Sequence, residues 1–150
     1  MNMTTSMPPM KDGIPLRVKA SVSVSRGSLW HGAIPVAKLP RLVAVLIDGE
    51  GELQVDLAAE RDSAGVPRLR GKVAGELGLT CQSCMADFRW PLRIGLDLRL
   101  VFSEAEERRL LHECEPFLVE EDTLHLHDLV EEEALLAIPI APRCAACGGE

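Results

Sequence analysis

Leu92, Ile94, Leu96, Leu98, Leu100 and Phe102 alternate with Arg93, Asp97 and Arg99, a period of two that fits a strand with one dry face and one wet face. Just upstream, Leu69, Val73, Leu77 and Leu79 share one face of a second such run, and Arg70, Lys72, Glu76 and Thr80 share the other. Consecutive strands of this kind pair antiparallel most simply. The tip of that hairpin then falls on Cys81-Gln82-Ser83-Cys84.

The flanking sequence predicts the remaining elements. Leu16, Val18, Ala20, Val22 and Val24 alternate with polar residues through Ser25 and predict an early strand. Pro40 suits the first turn of a helix running through Leu42, Val43 and Leu46 to Gly49. Leu53, Val55 and Leu57 predict another strand, and Asp62 to Pro67 a turn. Glu104 to His112 reads as a short charged helix and Phe117 to Val119 as a brief extended piece. From Leu126 a longer helix is expected, with Leu129, Val130, Ala134 and Ala137 inward and Asp128, Glu131 and Glu132 outward; Pro139 ends it. Glu133 falls near the apolar side, where pairing with an arginine is expected.

The expectation is therefore an α+β fold: an antiparallel sheet of about four to five strands, one helix between early strands, and a C-terminal amphipathic helix packed on the sheet. Residues 1–13, rich in Met, Pro and Thr, read as a flexible N-terminal tail, and residues 14–150 as a single domain. The N-terminus has neither the basic head nor the apolar stretch of a secretory signal, and no run approaches the roughly 18 apolar residues of a membrane span. A cytoplasmic setting follows, in which thiols stay reduced.

A second Cys-x-x-Cys pair, Cys144-Ala145-Ala146-Cys147, lies near the end of the sequence. Two such pairs can close on one tetrahedral zinc, each sulfur about 2.3 Å from the ion. Cys81, Cys84, Cys144 and Cys147 are thus the candidate ligands of one structural zinc that clasps the tail to the hairpin. Against this stands the reading of small residues in a turn beside a free tail pair. A dithiol redox protein is a further alternative, but it wants its pair where a strand enters a helix, and Met85 to Pro91 is no helix start. Cys114, His31, His112, His125 and His127 have no partner set at convincing metal spacing, and Glu131-Glu132-Glu133 suits a solvated helix face. No phosphate loop, nucleophile elbow or zinc-protease helix occurs. No catalytic residue and no small-molecule substrate are expected.

The net charge of −7 conceals segregation: residues 104–133 carry −10, while residues 1–103 carry +3. Such a chain is a poor indiscriminate binder of nucleic acid, yet it can present a local basic face. Arg17, Lys19, Arg70, Lys72, Arg93 and Arg99 all fall on polar strand faces. On a shared sheet they would lie along RNA phosphates, or merely solvate the sheet. Arg70, Lys72, Arg93 and Arg99 are the candidate RNA contacts. Few aromatics are present, which disfavours a base-stacking platform.

An alternating strand entering Cys81-x-x-Cys84, a strand ending near Val101-Phe102-Ser103, the run from Asp128 to Pro139 and then Pro142-Arg143-Cys144-x-x-Cys147 together resemble the YceD family of large ribosomal RNA subunit accumulation proteins. The resemblance implies a small bacterial cytoplasmic protein that supports synthesis, processing or stability of 23S ribosomal RNA without catalysis. Its implied partners are ribosomal RNA or a large-subunit maturation factor, with a protein-binding adaptor as the alternative. Where the family commonly has arginine between the first two cysteines, this chain has Ser83.

Overall fold

The computed structural model describes residues 13–111 and 116–149; the expected tail through residue 12, and Cys114 and His112, lie outside them. The main sheet has five strands, β2 (Leu29–Pro35), β3 (Glu52–Arg61), β4 (Pro67–Thr80), β5 (Asp87–Val101) and β6 (Pro116–Leu118), hydrogen-bonded in that order. The first four form an antiparallel meander, and β6 joins the end of β5 in parallel. The α+β expectation holds.

The β4–β5 hairpin follows the sequence pattern. Leu69, Val73, Leu77, Leu92, Leu96, Leu98 and Leu100 are buried, and their removal from water is the main cohesive term of the fold, at about 25 cal/mol per Å² of apolar surface. Phe102 departs from the pattern: β5 ends at Val101, and the ring is exposed.

The early strand is a correction. Only β1 (Arg17–Lys19) is extended, pairing with β7 (Thr123–His125) in a separate two-stranded ladder, and α1 (Ala20–Arg26) follows at once. The buried residues of α1 are Ala20, Ser23 and Val24, the spacing of a helical face, while Leu16 and Val22 are exposed. Its ends explain why helix wins over the alternating pattern. The Asp122 carboxylate accepts from the Ser21 amide at 2.8 Å and the Ser21 hydroxyl at 2.6 Å. Gly27, in the left-handed region at φ 63°, lets the closing amides of Gly27 and Ser28 bond to Val24 and Ser23.

The Pro40 helix is also shorter than expected. α2 spans Pro40–Val43, and the chain then leaves the helix because the Ile47 amide donates to the Gly78 carbonyl of β4 at 3.0 Å. α3 (Glu104–Leu110) is capped by the Ser103 hydroxyl, which accepts from the Glu106 amide. α4 (Leu126–Ala137) buries Leu126, Leu129, Val130 and Ala134 in the core shared with the sheet. No helix among the described residues is long and apolar enough to cross a membrane.

Candidate functional site

The register that pairs Thr80 with Asp87 leaves residues 81–86 to turn the hairpin. This turn is tight: the Cys81 amide donates to the Ala86 carbonyl at 2.8 Å and the Met85 amide to the Cys81 carbonyl at 2.9 Å. Inside it the Ser83 and Cys84 amides point at Cys81 Sγ, 3.4 and 3.5 Å away. Amides aimed at a sulfur favour its anionic form. Met85 completes the turn at φ 65°, a left-handed conformation that suits glycine better than a bulky side chain.

The tail builds a matching turn. Cys147 and Gly149 both donate their amides to the Cys144 carbonyl, and Gly148 sits at φ 95°. It docks on the hairpin tip through the Gln82 amide, which donates to the Pro142 carbonyl at 2.8 Å. The four cysteine sulfurs consequently lie within 4.8 Å of one another, with Cys84 and Cys144 Sγ 3.8 Å apart. A tetrahedron with four bonds of about 2.3 Å has sulfur edges of about 3.8 Å, so the set is of a size to hold a metal ion. The pairs at either end of the sequence-distant segment thus come together as the spacing suggested.

The sulfurs are unequal. Cys81 is buried, Cys84 exposed, and Cys144 and Cys147 half-buried. Amides of Cys144 and then of Cys84 lower the Cys81 thiol to about 6. Hydrogen bonding to the sulfurs of Cys144, Cys81 and Cys84 raises Cys147 to about 12. The cluster thus favours a thiolate at Cys81 and keeps the proton on Cys147.

The acidic helix corrects the sequence reading in a different way. Glu131, expected outward, is the buried one, 2% exposed. Its Oε2 accepts the amides of Arg41 at 2.6 Å and Leu42 at 3.1 Å, so α4 caps the first turn of α2 from 90 residues away. Arg41 Nε lies 3.3 Å from Oε1 of the same carboxylate, and its Nη1 reaches Glu132 at 3.0 Å. Glu133 is half-buried. His127 is also spoken for, with Nε2 2.8 Å from the Ile14 carbonyl.

Arg70, Lys72, Arg93 and Arg99 do share one face of the main sheet: the register sets Arg70 opposite Asp97, Lys72 opposite Gly95, Arg93 opposite Ala74 and Arg99 opposite Arg68. Arg17 and Lys19 are not part of it, since β1 belongs to the smaller ladder. Acids interleave the cations. Arg70 bonds Glu60 at 2.6 Å, and Arg99 bonds Asp97 at 2.6 Å and Asp62 at 3.1 Å. The Arg70 guanidinium holds the Glu60 carboxyl below its ordinary range. The amides of Val66, then Ala64, with Arg99 nearby, do the same for Asp62 against the cost of burial. Neither Lys72 nor Arg93 forms an ion pair with a described residue. Arg68, unmarked by the sequence reading, joins the network through Asp97 at 3.0 Å and Glu60 at 3.8 Å.

This face is hollowed into a groove of about 600 Å³, bordered by Leu29, His31, Ala58, Lys72 and Asp97. Gly71 lies in its floor because β3 and β4 approach closely there: a Cβ on Gly71 would stand 1.9 Å from the Asp56 carbonyl oxygen.

A family model described as "Large ribosomal RNA subunit accumulation protein YceD" matches residues 69–150, more than half of the chain. The matched span begins in β4 and includes the hairpin, α4 and all four clustered cysteines. No curated protein matches the chain, and no solved structure does.

Proposed function

The chain belongs to the YceD family, and we propose from that premise that it is a non-enzymatic, cytoplasmic factor supporting the synthesis, processing or stability of 23S ribosomal RNA. The observation that carries a direct RNA role is the common face of Arg70, Lys72, Arg93 and Arg99. Lys72 and Arg93 are the cations of that face with no ion pair among the described residues and take phosphate first; Arg70 and Arg99 must exchange carboxylate partners to do so, which makes them weaker contributors. The acids of α3 and of the turn before β7 repel indiscriminate polyanions, or engage a basic protein of the maturing subunit.

The clustered cysteines hold, in this reading, one structural zinc. Four thiolates at tetrahedral spacing are the donor set of a closed zinc site, with no position left for a substrate. Zinc bound there would fix the tail against the hairpin tip. The pair at residues 81 and 84 lies between two strands, away from any helix start, and so lacks the setting of a catalytic dithiol.

The test is equilibrium binding to 23S ribosomal RNA fragments across a salt series. Charge reversal of Lys72 and Arg93 together should weaken binding at least tenfold and reduce the slope of log affinity against log salt by about 2. Reversal of Arg70 and Arg99 should do less. Unchanged affinity and slope after reversal of all four would reject direct phosphate contact, and co-purification with protein that survives nuclease would then favour the adaptor.

A further inference from the structure

We propose that the junction between hairpin tip and tail is a site of oxidative modification by hydroperoxides, at which Cys84 and Cys144 form a disulfide and expel the metal. The inference rests on the metal reading for the expulsion alone; the sulfur chemistry stands on the geometry.

Cys84 is the exposed residue of the cluster, whereas Cys81 is buried beneath the turn and receives the Ser83 and Cys84 amides. A peroxide arriving from solvent meets Cys84 first. The Cys84 sulfur attacks one peroxide oxygen, the O–O bond breaks, and a sulfenic acid and one water result. Cys144 Sγ, 3.8 Å away on the tail, then attacks the Cys84 sulfur. The S–S bond forms as the S–O bond breaks, and the departing hydroxide leaves as the second water. Two thiols and one hydrogen peroxide become one disulfide and two waters; the two electrons lost by sulfur reduce the peroxide. With metal bound, the two protons come from solvent instead of from the thiols. Closure to about 2.05 Å needs a shift of under 2 Å between two turns already joined by the Gln82 to Pro142 hydrogen bond.

The product differs from simple metal loss. Only Cys81 and Cys147 would remain as thiolate ligands, too few to keep zinc, yet the tail would stay attached, now covalently. Disulfides within each pair, Cys81 with Cys84 and Cys144 with Cys147, would instead let it go.

The experiment takes the full chain, reduced and loaded with zinc, with Cys114→Ser in parallel to remove the fifth cysteine. One equivalent of hydrogen peroxide should release one zinc per chain, scored with a chromophoric chelator, and remove two titratable thiols. Fragment-ion mass spectrometry under non-reducing conditions should locate the bond between positions 84 and 144. The tail should stay protease-resistant after peroxide but become cleavable after chelator alone. A bond within either pair, thiol loss without a disulfide, or zinc retained under peroxide would overturn the proposal. Reduced protein that binds no zinc would reject the metal reading, and the location of the disulfide would still decide the sulfur chemistry.

Discussion

Two of the ties that hold the last third of the chain to the rest use opposite chemistry. Halfway along α4, Glu131 is a single buried carboxylate that two backbone amides and Arg41 satisfy. Beyond the helix, four sulfurs from two turns gather around one point, with Cys84 open to solvent. The carboxylate is complete when the chain has folded; in the proposed metal reading, the sulfur cluster is completed by a cation that must be supplied. The first tie should therefore behave as part of the cooperative core, and the second as a local latch that opens alone.

Metal removal is the sharpest test of that contrast. With zinc at a thousandfold excess over its dissociation constant, binding would stabilise the closed latch by about 4 kcal/mol, and chelation should remove that amount from the opening free energy of residues 81–86 and 142–149. Amide exchange in β3, β4 and the buried part of β5 should barely change. If the whole sheet exchanges faster after chelation, the cluster is part of the core and the comparison fails.

Glu131→Ala probes the other tie. It leaves the Arg41 and Leu42 amides without their acceptor at the seat of α2, and a loss of about 3 kcal/mol is expected. The readout is the denaturation midpoint by urea, at constant m-value. Here destabilisation should be global, with the cysteine cluster still able to take metal in the folded fraction. A local opening confined to α2 would make Glu131 a latch as well.

These two ties also differ in how plainly the sequence announced them. Cysteine spacing is a strong signal because a metal constrains ligands within a few residues of each other, whatever the fold. The β4–β5 hairpin was equally plain, since each strand has one buried face and the alternation repeats over its whole length. Glu131 was hidden: helical periodicity placed it outward, and only the position of α2 makes that side of α4 dry. The helix α1 was hidden for the same reason, because its cap, Asp122, lies 101 residues from Ser21. On the sheet face, the sequence could place Arg70 and Arg99 on one side but could not show that Glu60 and Asp62 lie within reach of them. What depends on local spacing was legible, and what depends on cross-chain register was not.

Asp122 gives the smallest and most specific test, since it is a half-buried counterpart of Glu131. Both carboxylates cap a short helix from a distance, but Asp122 works in contact with water. The Ser21 hydroxyl, then the Ser21 amide, hold its carboxyl below the ordinary range, with burial opposing and Lys19 assisting. A carboxyl depressed in the folded state contributes stability that is fully present above its unfolded pKa and is lost as pH falls through the folded one. Asp122→Asn should therefore destabilise at neutral pH, and the difference from the parent should shrink steadily below about pH 4. Thermal midpoints of the two proteins across an acid series measure it. Because the proposed metal latch would also weaken in acid, as protons compete for its thiolates, the series must be run with chelator present throughout. A difference that persists undiminished in strong acid would mean that the asparagine disturbs the left-handed turn, where Glu121 and Asp122 both sit at φ 54°, and that the charge itself contributes nothing to the cap.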